Sequence, residues 1–79
     1  MNQSILNLVA ATLSELGLPA PTNSIPTMLM KDGYFVGHKL RYDGGCAILW
    51  AASDVIEFYD EQGKLLRTIV LEDETGAAA

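Results

Sequence analysis

His38, Asp43 and Cys46 are the residues of this chain with the widest chemical range, the types of a base, an orienting acid and a nucleophile. To act together, an imidazole and a thiol must lie within about 3 Å of each other. Asp43-Gly44-Gly45 reads as a hairpin turn between them. A Gly44-Gly45 turn sets Tyr42 opposite Ala47 and Leu40 opposite Leu49, so His38 opposes Ala51, far along the hairpin from Cys46. At about 3.3 Å per strand residue the two are out of hydrogen-bond reach. His38 then reads as a half-buried strand residue and Cys46 as a small buried or turn-adjacent one, and no catalytic residue is expected.

Metal and cofactor chemistry find as little to work with. One His, one Cys and the acidic run Glu72 to Glu74 do not make a ligand set, and such a run reads as a solvated tail. Gly33, Gly37, Gly44 and Gly45 lack both the strand–loop–helix context and the Gly-Lys-Ser/Thr ending of a phosphate loop. Gly37 instead sits inside a strand pattern, where glycine marks a bulge or the close approach of another backbone. No metal and no cofactor are expected.

Binding chemistry remains. Lys39, Arg41, Trp50, Glu57, Tyr59 and Arg67 are of the types that anchor interfaces, and the strand pattern below sets them on one sheet face. The same cations and aromatic rings could stack single-stranded nucleic acid or hold a small ligand. Glu57 among them, a formal charge of −5 and five basic residues in all argue against a phosphate footprint and against an anionic membrane surface.

The elements that must position this face follow from periodicity. Residues 4–16 form an amphipathic helix, with Ile5, Val9, Leu13 and Leu16 at helical spacing and Leu6 widening the stripe. Ser4 or Asn2 is its cap, Gly17 suits the left-handed position after its last turn, and Pro19 prevents continuation. Residues 17–26 hold all three prolines and form a connector. From Thr27 the apolar period becomes two. Turns at Asp32-Gly33, Gly44-Gly45, Ser53-Asp54 and Glu61 to Gly63 divide residues 27–72 into four strands and a fifth at Met28 to Lys31. Residues 73–79 read as a frayed tail.

The turns also set the faces. Leu29, Val36, Leu40, Ala47, Leu49, Ala51, Ile56, Phe58, Leu66 and Val70 gather on a core face, which the helix covers. Met30, Phe35, Ile48, Val55, Leu65 and Ile69 join the six anchor-type residues on the other. The expected fold is therefore α+β, an N-terminal helix on a four- or five-stranded antiparallel meander, in one domain over residues 1–79. The alternative is a small SH3-like barrel with an N-terminal helix.

The segment Phe58 to Ile69, FYDEQGKLLRTI, resembles one unit of the tyrosine–aspartate-rich repeats of large bacterial surface and toxin proteins. It occurs once in this sequence, and the resemblance carries a hairpin and no function.

A chain of 79 residues buries only about 60% of its unfolded surface, yet 49% of this one is apolar. A short helix cannot cover both faces of the sheet. The expectation is a small protein-interaction module, not an enzyme, whose outer face meets a protein, first of all a second copy in a homodimer. The lone cysteine excludes an internal disulfide, and residues 1–17 lack a basic leader and carry Asn7 and Glu15, so a cytoplasmic protein without a membrane span is expected.

Overall fold

The computed structural model describes residues 3–21 and 25–71. It contains helix α1 (Gln3–Glu15) followed by β1 (Thr27–Lys31), β2 (Tyr34–Tyr42), β3 (Gly45–Trp50), β4 (Val55–Asp60) and β5 (Leu65–Val70). The strands form one antiparallel sheet in the order β1-β2-β3-β4-β5, a meander whose two outer strands do not meet. The barrel alternative is thereby corrected: the sheet stays open.

Helix α1 ends as its sequence predicts. Gly17 takes φ 78°, and the amides of Gly17 and Leu18 donate to the carbonyls of Ser14 and Leu13 at 3.1 and 2.8 Å. Those bonds satisfy carbonyls that the helix leaves without partners, and Leu18 packs on the core beyond them. The helix begins one residue earlier than expected, so Ser4 lies inside it and is not the cap. Asn2, the other cap candidate, lies outside the described residues, as does Glu72 to Ala79.

Val9 and Leu13 of α1 are fully buried against Leu40, Ala47, Ile56 and Phe58 of the sheet, with Tyr42 at the margin. Thr12 is buried with them, its hydroxyl donating to the carbonyl of Leu8 at 2.9 Å. Leu49, Ile69 and Leu71 extend the cluster. Among the described residues, no helix is long and apolar enough to cross a membrane.

Register decides what each face carries, and it departs from expectation in two ways. The β2–β3 turn closes at Tyr42 opposite Gly45, and the β3–β4 loop spans Ala51 to Asp54, so that Trp50 opposes Val55. Both are shifts by two residues, which leave the side chains of β3, β4 and β2 from His38 onward on their expected faces. Ala51, expected in the core, is exposed in that loop.

The outer strands behave differently. Lys31 opposes Tyr34 and Tyr59 opposes Leu65, as the turns require, but one bulge lies beyond each pair. On β2 it leaves Val36 as the extra residue, with Leu29 opposite Gly37 and Met28 opposite His38. On β5 it leaves Leu66 extra, with Arg67 opposite Phe58 and Ile69 opposite Ile56. An odd shift flips alternate side chains to the other face. Met30 and Phe35 therefore belong to the helix side, where the Phe35 ring meets His38 edge-on at 5.1 Å between centroids. Leu29 and Val70 turn outward, Ile69 turns inward, and Leu66 lies exposed at the bulge.

Candidate interaction face

Across the sheet, the face opposite α1 is a grid of three rows. Arg41, Cys46, Tyr59 and Leu65 form one; Lys39, Ile48, Glu57 and Thr68 the next; Trp50, Val55 and Val70 the third, beside Gly37. Neighbours along a row are about 4.8 Å apart. The basic side chains thus stand on β2, the carboxylate on β4, and an uncharged column of Cys46, Ile48 and Trp50 on β3 separates them.

Glu57 organises the centre. The Trp50 indole N–H donates to its Oε1 at 2.7 Å, and the Tyr59 hydroxyl donates to the same oxygen. Alternation along β4 sets Tyr59 two residues from Glu57, and cross-strand pairing sets Trp50 on its diagonal, both within side-chain reach. The bond to Glu57 raises the Tyr59 phenol above its ordinary range, with burial adding to it, so the phenol remains a donor. Two rigid aromatic groups therefore hold one carboxylate in place, and all three side chains are half-buried on the face opposite α1.

Five of the six expected face residues are brought together: Lys39, Arg41, Trp50, Glu57 and Tyr59. Arg67 is not among them. The bulge at Leu66 turns it to the helix side, where its guanidinium binds the carboxylate of Glu15. Thr68, not Arg67, stands opposite Glu57. Cys46 joins the face instead, directly between Arg41 and Tyr59. Its place follows from the two-residue Asp43-Gly44 turn, a signal present in the sequence beside the Gly44-Gly45 alternative.

His38 opposes Leu49 on the helix side, while Cys46 faces outward, so the sheet itself stands between imidazole and thiol. Near the Arg41 end a cleft of about 500 Å³ opens between two turns, lined by Lys39, Arg41, Cys46, Asp60 and Glu61 among others. Its charges are of both signs, which gives no single-sign field for an anion. Among the described residues, no three of His, Cys, Asp and Glu come together as metal ligands. No family model, curated protein or solved structure matches this chain.

Proposed function

We propose that this chain is a small protein-interaction module that self-associates through the sheet face opposite α1. The observation that carries the proposal is the Trp50–Glu57–Tyr59 cluster, pre-ordered by two hydrogen bonds on the face that α1 leaves bare. Trp and Tyr are enriched at binding hot spots because they bury large area at low entropic cost, and a cluster fixed in advance lowers that cost further. Ile48 and Val55 supply apolar area around it, and Lys39 and Arg41 form a charged rim. The carboxylate at the centre of the face stands against nucleic acid as its occupant, since phosphate would be repelled where the aromatic rings would stack.

Light scattering over a concentration series tests this. The wild type is expected to pass from monomer to dimer, and Trp50→Ala, folded by circular dichroism, to remain monomeric. A wild type that stays monomeric at every concentration overturns the proposal.

A further inference from the structure

Resting on that self-association, we infer which residues of the second copy this face meets. Two copies of one sheet stack face to face about a two-fold axis lying between them, about 10 Å separating the sheets. The simplest placements run that axis either along the strands or across them. Charge decides between the two.

With the axis along β3, β2 of one copy lies over β4 of the other. Lys39 then faces Glu57 of the second copy, and Glu57 faces its Lys39, because both sit in one row, one strand to either side of Ile48. In the neighbouring row, Arg41 comes over the ring of Tyr59, the geometry of a cation–π contact. With the axis across the strands, through the same row, Lys39 stacks on Lys39 and Glu57 on Glu57. That placement sets like charges together with no compensation.

The twist of stacked sheets does not undo the pairing. Sheets pack at about 30°, and residues roughly 5 Å from the axis are displaced by only about 2.5 Å, within reach of a lysine side chain. Glu57 suits the role, because Trp50 and Tyr59 occupy one of its oxygens and hold the other in a fixed direction. The module is thus a symmetric dimer in which two Lys39–Glu57 pairs flank a spine of Ile48 and Trp50 from both copies.

Charge exchange tests the register. Lys39→Glu alone places four carboxylates in the interface, and Glu57→Lys alone places four ammonium groups there. Each variant is expected to lose self-association at least tenfold, and their equimolar mixture to restore a dimer that native mass spectrometry shows to be one of each. Because Glu57→Lys also removes the acceptor of Trp50 and Tyr59, a measurement on the wild type accompanies it. Cys46 lies on the proposed axis, so the two thiols stand over one another with α-carbons about 10 Å apart, too far for a disulfide but within a short bifunctional thiol reagent. The axis across the strands would set Cys46 over Trp50 and the α-carbons about 16 Å apart. Rescue by mixing and efficient Cys46 cross-linking support the register. A wild-type dimer that needs Trp50 but ignores both charge changes, or does not cross-link, overturns the register alone. A monomeric wild type overturns it together with the self-association.

Discussion

Arg67 is bound to Glu15 across 52 positions of sequence, joining the outer strand β5 to the last residue of the helix. The bulge at Leu66 is what makes this contact available, since without it the guanidinium would point to the bare face. Both side chains are substantially exposed, at 39% and 65% of their full area, so the pair is weak. Arg67→Ala is expected to cost no more than about 1 kcal/mol in urea unfolding. It should also leave the dimer dissociation constant within about twofold of the wild type, because the residue lies under the helix side. An Arg67 variant that dissociates the dimer as Trp50→Ala does would place the bulge elsewhere.

Phe58 and Leu13 join sheet to helix with no exposed surface. Leu13→Ala is expected to cost about 2–5 kcal/mol and Phe58→Ala about 3–5 kcal/mol, each leaving a cavity that a domain of this size cannot fill by collapse. Stability in such a domain is itself only a few kcal/mol, so either variant should be largely unfolded at 25 °C by circular dichroism. Leu49, only half-buried at the cluster's edge, should lose less than either when truncated.

Two glycines are required for reasons of space. A Cβ on Gly37 would stand 2.1 Å from the carbonyl oxygen of Leu49, and one on Gly45 would stand 1.8 Å from that of Tyr59. Backbone cannot yield as a side chain can, so Gly37→Ala and Gly45→Ala should each cost more than about 2 kcal/mol in thermal or urea melts. Gly63 offers the control: its φ of 85° disfavours a side chain, but nothing lies within 4 Å. Gly63→Ala should cost about 1–2 kcal/mol. Losses at Gly37 and Gly45 no larger than at Gly63 would show that the close approach does not set the cost.

The contrast between central and outer strands shows what was legible in the sequence. Asp-Gly and Gly-containing turns fix where strands begin, and an error of one residue in a turn's placement moves pairing by two, which leaves the faces intact. Leu40, Ala47, Ile56 and Phe58 were therefore assignable to the core, and Trp50, Glu57 and Tyr59 to one outer cluster. A bulge moves pairing by one and exchanges the faces of everything beyond it. Gly37 marks the first bulge by its type, whereas Leu66 carries no such mark in a run of strand-like residues. That is why the strand pattern alone puts Arg67 and Ile69 on the wrong sides. Tyr42 was equally illegible as a core residue, because its burial depends on crossing Gly45 to reach β4.

That crossing gives the last prediction. The Tyr42 hydroxyl donates to the carbonyl of Tyr59 at 2.7 Å, over the space that a side chain at position 45 would fill. Burial pushes its phenol up to about 12, with the nearby Cys46 and Asp60 adding to the rise. In the unfolded chain the same phenol ionises near its ordinary value of about 10. A group whose folded value is raised favours folding while it is neutral in both states, so this contribution is fully present below about pH 10. Between about pH 10 and 12 the unfolded chain gives up its proton while the folded one retains it, and the contribution falls, by an amount on the order of 2 kcal/mol. Tyr42→Phe should lower stability at neutral pH by about 1 kcal/mol through the lost hydrogen bond and then show a shallower alkaline decline than the wild type. Urea midpoints measured across this range for both proteins decide it: parallel declines would mean that the buried phenol of Tyr42 is not the group whose ionisation opens the sheet.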